Sequence, residues 1–188
     1  FTIISVPSAT LDQWEDSVAD WLTIPKSKVL VTSKEADLAK KLKGKQVVIV
    51  SRDCLALAFA KCYSKQEVMR ETARGQRKCV EWLRTPGTPL HPVFEKKPDV
   101  FIVDEAHYMR SSSSRRCEAH HHLACLASKR ILLSGTFCVN SPVDLAGICK
   151  AGNAPRDVGF EGKIYDLQEQ LTWVTQRCHK TINRDAVR

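Results

Sequence analysis

Val100-Phe101-Ile102-Val103-Asp104-Glu105-Ala106-His107 is a short apolar run that ends abruptly in two adjacent carboxylates and a histidine. Four consecutive apolar residues with polar neighbours read as a strand covered on both faces. Burying Asp and Glu side by side is costly without a cation. At the carboxyl edge of a parallel sheet, where ligands of open α/β folds bind, Asp104 can hold a hydrated magnesium and Glu105 can orient and deprotonate water. The ordinary alternative is a strand that simply runs out into a polar loop.

A second segment downstream shifts that balance. Arg130-Ile131-Leu132-Leu133-Ser134-Gly135-Thr136 reads as a second buried strand, ending in a hydroxyl-Gly-hydroxyl turn that would bring polar groups to the same sheet edge. Further β-rich runs occur at Thr2 to Val6, Lys28 to Thr32 and Gln46 to Val50, each followed by a loop and helical periodicity. Such alternation implies a parallel sheet with helices on both faces.

Three capping boxes are expected to open helices: Thr10 with Gln13, Thr32 with Glu35, and Ser64 with Glu67. In the first of these helices Leu11, Trp14, Val18, Trp21 and Leu22 share one face. A further helix is expected from Ser141-Pro142. Thr85 to Pro92, rich in proline, reads as a surface loop. Residues 1 to 152 form one lobe in this reading, and residues 153 to 188 a basic helical tail leading toward a second lobe.

With 188 residues, the chain is long enough for one compact core, and its 43% hydrophobic and 27% charged content is that of ordinary globular proteins. No apolar run approaches the ~20 residues of a membrane span, so no membrane partner is expected. The first residues carry no basic leader or small-residue cleavage site, and the first is not Met, as in a fragment. Eight cysteines without a C-x-x-C pair fit reduced thiols in an intracellular setting. The net charge of +8 and pI near 9.1 favour a polyanionic partner, of which nucleic acid is the commonest.

Three stretches resemble helicase superfamily two, and more narrowly the Swi/Snf-like ATPases. Ile3-Ile4-Ser5-Val6-Pro7-Ser8-Ala9-Thr10-Leu11 with Trp14 and Trp21 is similar to the family's strand, Pro-Ser turn and Trp-bearing helix. Asp104 to His107 resembles the DEAH box, and Leu132-Leu133-Ser134-Gly135-Thr136 the coupling motif, followed by Asn140. Val47-Val48-Ile49-Val50-Ser51-Arg52 is similar to a weaker motif between them. The tail, with Arg177, Lys180, Arg184 and Val187, resembles a basic linker.

The resemblance implies a RecA-like lobe of the phosphate-loop NTPase type that lacks its first strand and phosphate loop. It implies an ATP-dependent double-stranded DNA translocase of the chromatin-remodelling type in the nucleus, acting on naked or nucleosomal DNA together with a second ATPase lobe. ATP and Mg²⁺ are the implied cofactors. Asp104 would take the metal, Glu105 would be the base, and His107 would join them at the nucleotide. His107, Ser134, Gly135 and Thr136 would couple the sites, and Pro7, Ser8, Ser51 and Arg52 would lie near DNA phosphates. A non-catalytic DNA- or protein-binding lobe and a DEAH-type RNA helicase are the alternatives, although Tyr108-Met109-Arg110 departs from the usual RNA-helicase continuation.

Departures from the pattern are equally legible. Phe137 replaces the usual Pro, and Ser111 to Ser114 replace a Lys-Asn pair. The phosphate loop G-x-x-x-x-G-K-[ST] is missing from the 188 residues: Gly-Lys occurs at 44 and 162, with Ala39 and Asp157 where the first Gly would stand. The chain alone is therefore expected to be inactive.

Other clusters have plainer readings. Arg70, Arg74, Arg77 and Arg84 fall near one face of the helix expected from Lys65, which could track DNA but more simply faces water. Cys117, His121 and Cys125, with His120 and His122 nearby, suit an ordinary helix better than zinc. Trp14 and Trp21 read as core residues. Lys40, Lys41, Lys43 and Lys45 read as a solvated helix end.

Overall fold

The computed structural model describes residues 1–72, 75–136 and 144–153, with the side chains of 72, 77 and 144–146 left aside. Strands β1 (Thr2–Val6), β2 (Val29–Thr32), β3 (Val47–Ser51), β6 (Val100–Val103) and β7 (Lys129–Leu132) form one sheet in the order β2-β3-β1-β6-β7. Every pairing in it is parallel. These are the five apolar runs visible in the sequence. Parallel pairing puts all five carboxyl ends on one edge, because Val6 pairs with Ser51, Ser5 with Val103, and Val103 with Leu132.

Helices cover both faces. On one side α1 (Leu11–Trp21) lays Leu11 and Val18 over Ile4, Val6, Val47 and Ile49. On the other, α2 (Glu35–Lys41), α3 (Arg52–Cys62), the short α4 (Pro92–Glu95), α5 (Arg115–Leu126) and α6 (Asp144–Ala151) enclose a larger core around Ile3, Val48, Leu55, Phe101 and Leu123. β1 and β3 are buried along nearly their whole length, as expected of central parallel strands. β7, expected to be buried, instead exposes Lys129, Arg130 and Ile131, because it is the last strand of the described sheet, with a partner on one side.

The capping expectations need correction. Thr10 turns its hydroxyl back to Pro7 O rather than capping α1. Thr32 bonds Lys34 in a tight local turn, and α2 starts at Glu35, so the acid stands in the first turn instead of closing a box. Among the described residues, side-chain caps are received by α3 from Ser51, α4 from His91 and α5 from Ser114. Each of these caps precedes its helix directly but lacks the reciprocal Glu or Gln that makes a box visible.

Ser64 opens no helix. Residues Tyr63–Thr72 (β4) and Gly75–Arg84 (β5) form an antiparallel hairpin. Its base decides the matter: Tyr63 stacks on Phe59 at 4.3 Å and Trp82 meets Phe59 edge-on at 5.6 Å. One face of the hairpin thus continues the core, and aromatic anchoring outweighs the weak helical periodicity. Glu67 pairs with Lys78 and Arg70 with Glu81 across the strands. The arginines expected on one helical face are therefore distributed over a hairpin, with Arg74 outside the described residues. Phe137, Asn140, the Ser141-Pro142 helix start and the whole tail from 154 also lie outside them. None of the described helices is long and apolar enough to cross a membrane.

Candidate active site

The polar edge is built by the strand ends. β6 delivers Asp104, whose backbone N–H donates to Ser5 O at 2.8 Å and extends the ladder by one residue. The chain then reverses through Glu105, which adopts φ 50°, ψ 51°. A non-glycine residue in this left-handed region carries strain of about 1–3 kcal/mol and persists only where its surroundings dictate it. Here they do. Asp104 Oδ1 accepts the Glu105 N–H at 2.9 Å. The Ala106 N–H donates to Leu133 O and the Leu133 N–H to Val103 O, both at 2.8 Å.

A 3-10 turn, Ala106–Met109, follows, with Ala106 and Met109 buried. α6 packs tightly on it: a Cβ at Gly147 would lie 2.1 Å from Met109 O. Only glycine permits that approach.

The turn brings three polar groups together. His107 Nδ1 lies 3.1 Å from Glu105 Oε2 and 3.1 Å from Ser134 Oγ. A carboxylate only accepts, which assigns the hydrogen to Nδ1. The Ser134 hydroxyl is held by its own turn, donating to Thr136 O at 3.0 Å and accepting from the Thr136 N–H at 3.2 Å. The Glu105 side chain is 42% exposed and that of His107 20%. The carboxylate is therefore accessible from solvent while the imidazole that orients it is mostly enclosed. Gly135 and Thr136 are exposed beside them.

Asp104 has a second partner. Trp14 Nε1 donates to Asp104 Oδ2 at 3.0 Å, joining the first helix to the acid turn. Sequence reasoning placed Trp14 in the core and missed this bond. The missing signal was tertiary: β1 had to be known as the neighbour of β6. Trp21 is not a core residue but 86% exposed, and Leu22 is 45% exposed. At about 100° per residue, Trp14 and Trp21 lie roughly 60° and 80° round from Leu11. Trp14 finds a partner at the sheet edge, whereas Trp21, in the last turn, faces water.

Pro7 and Ser8 follow β1 on the same edge, with Ser8 exposed at the start of a 3-10 turn. Ser51 is buried, and its hydroxyl accepts the Cys54 N–H as the α3 cap. Arg52 is half-buried and lays its guanidinium over the Tyr108 ring at 3.6 Å. Parallel topology thus gathers Pro7, Ser8, Ser51, Arg52, Asp104, Glu105, His107, Ser134, Gly135 and Thr136 on one edge.

The α5 cluster is tied elsewhere. Burial pushes the Cys117 thiol up to about 12, and its Sγ donates to Gly147 O at 3.3 Å. His121 Nδ1 lies 2.6 Å from Lys150 O. A thiol held protonated makes a poor metal ligand.

The donor set at the edge is two carboxylates. Asp104 uses each oxygen once, so lone pairs remain on both, and hard oxygen donors of this kind suit magnesium, which takes one or two carboxylates and completes its shell from water and phosphate. The residues fit that ion, with Asp104 the residue to hold it.

Comparison with known proteins agrees with the fold. A profile of the SNF2-related domain matches residues 1–151. The solved Sulfolobus solfataricus SWI2/SNF2 ATPase core in complex with double-stranded DNA aligns with a TM-score of 0.54 at 17% identity, over 97% of this chain and 30% of that one. The likeness is one of fold, and the chain spans less than a third of that protein's length. No curated protein sequence matches. With the parallel sheet, the acid turn on its carboxyl edge and a family match over four-fifths of its length, this chain belongs to the SNF2-related domain family.

Proposed function

We propose that this chain is the first ATPase lobe of a motor that tracks double-stranded DNA in the nucleus, on naked or nucleosomal templates, with ATP as the substrate and a second lobe as partner. The observation that carries the reading is His107 Nδ1 at 3.1 Å from both Glu105 and Ser134. One imidazole spans the two strand ends, so a shift in the Ser134 turn is felt at the acid that would activate water. Glu105 is the general base, held toward the open edge by its strained backbone and by His107. Asp104 would hold Mg²⁺, which neutralises charge on a triphosphate when bound. Trp14 fixes the Asp104 carboxylate against rotation.

Pro7, Ser8 and Arg52 present the DNA-facing side of the same edge, and the Ser51 hydroxyl contributes by capping the helix that carries Arg52. That the fold neighbour is described as bound to double-stranded DNA supports duplex over RNA. Binding should rest on phosphates, hence weaken steeply with salt and ignore sequence. Fluorescence anisotropy with duplexes of different sequence, between low and physiological salt, tests this. Affinity that survives high salt, or strong preference for one sequence, would refute it.

The 188-residue chain should release no phosphate from ATP with or without DNA. It lacks the loop whose amides and lysine hold the triphosphate, and an arginine finger from another lobe is worth about 10³ to 10⁵ in rate. Robust release abolished by Glu105→Gln would show that the phosphate site lies within these residues after all.

A further inference from the structure

Arg52 and Tyr108 lie outside the acid-base set, yet they extend it. The Arg52 guanidinium sits 3.6 Å from the centre of the Tyr108 ring. On from Tyr108, the next ring is His107, with centroids 4.4 Å apart and planes at 32°. His107 in turn holds Glu105 and Ser134. A continuous column therefore runs from the first residue of α3, across the acid turn, to the candidate base.

Two features make the column a device as well as a packing contact. Arg52 Nη1 is enclosed and has no hydrogen-bond partner among the described residues. Leaving a charged donor unpaired in a buried place is costly, so the stacked arrangement is not the best one open to this guanidinium. An anion reaches Nη1 only if the guanidinium moves relative to the ring, since the atom is closed to solvent where it stands. Tyr108 is the second feature. It is 47% exposed, in a turn anchored by buried Ala106 and Met109, and so keeps room to follow.

We infer that Arg52 and Tyr108 are a positioning pair: a phosphate that draws the Arg52 guanidinium off Tyr108 releases the ring, reorients the adjoining His107, and resets Glu105. The inference rests on the proposal that this edge faces DNA. It assigns Tyr108 a role that neither the acid box nor the coupling turn contains. Phosphate would compete with the aromatic face for one planar cation, a competition open to Arg because it both stacks and forks.

The test uses the chain as it stands, ring-labelled at histidine, with a short mixed-sequence DNA duplex at low salt and fixed pH. At saturating duplex the His107 ring signals should shift in the wild-type chain and equally in Tyr108→Phe, which keeps the ring. In Tyr108→Ala duplex affinity should stay within about threefold, because phosphate contacts carry it. The His107 shift in that variant should fall to less than about a third, as the stacking partner is gone. Arg52→Lys, which keeps the charge but loses the planar stack, provides a second variant on another element, α3. It should lose the shift at saturation in the same way.

A wild-type His107 that stays silent with duplex bound would overturn the inference and leave the DNA reading standing. So would an undiminished shift in either Tyr108→Ala or Arg52→Lys. Failure of the chain to bind duplex at all would overturn both.

Discussion

Two histidine–serine pairs lie among the described residues, and they do opposite things. His107 faces Ser134 at 3.1 Å on the open sheet edge, shares its Nδ1 hydrogen with Glu105, and is partly exposed. His120 faces Ser5 at 2.7 Å in the middle of the core, with both residues fully buried. There Nδ1 lies 2.7 Å from Arg116 O, so Nδ1 donates to that carbonyl and Nε2 accepts from the Ser5 hydroxyl. Burial pushes His120 down to about 4, and it stays neutral. The residue types are the same, but the inner pair is satisfied and sealed, whereas the outer one keeps a carboxylate within reach of solvent. Solvent access and the third partner separate a structural pair from a candidate functional one.

The comparison breaks most visibly at the acid itself. In a protein carrying this lobe together with a phosphate loop and a second lobe, Glu105→Gln should lower ATP hydrolysis by about 10² to 10⁴, the usual worth of a general base, while ATP binding persists. Turnover near the unmodified rate would remove Glu105 from that role and leave the outer pair with no more chemistry than the inner one.

Next in size is the acid response of the inner pair. Its folded pKa lies below the ordinary value of about 6.5, so the unfolded chain takes up the proton first and stability falls as pH drops. The loss begins below pH ~6.5 and is complete below about 4. It should amount to about 3 kcal/mol at 1.36 kcal/mol per pH unit. Urea unfolding of the wild-type chain and of His120→Asn across that window isolates it. Asn keeps a donor toward Arg116 O, and equal slopes in the two chains would show that His120 does not titrate on unfolding.

Smaller effects sharpen the contrast. Ser5→Ala strips the donor from a buried acceptor and should cost about 1–3 kcal/mol, whereas Ser134→Ala, on the half-exposed edge, should stay within about 0.5 kcal/mol. Comparable losses in the two variants would mean that the outer pair is structural as well. Finally, Glu105→Gly removes a side chain from a left-handed position and should stabilise the lobe by about 1 kcal/mol. A loss of stability would show that the Glu105 contacts outweigh the backbone strain.

Much of the sheet was legible because parallel strands buried on both faces must be apolar throughout, and such runs stand out between polar loops. Asp104, Glu105 and Ser134 were legible for the complementary reason: charged or hydroxyl groups that end an apolar run mark the sheet edge. The hairpin was not. Tyr63 to Arg84 has enough charge at helical spacing to imitate a helix, and only the fit of Tyr63 and Trp82 around Phe59 selects the strands. Trp14 and Trp21 show the same limit, since seven-residue spacing gives both nearly the same helical face but cannot say that the sheet edge meets one of them.

The sequence by itself determined which segments build the parallel sheet, where the acids stand at a strand end, and that no phosphate loop lies within these residues. Those features depend on local hydropathy, turn chemistry and motif spacing, all written along the chain. Only the tertiary structure decided that Trp14 grips Asp104, that Arg52 leans on Tyr108, and that one histidine–serine pair is sealed while the other is open. These contacts join residues 90, 56, 115 and 27 positions apart. Strand order brings them together, and strand order is set by packing that no local pattern records.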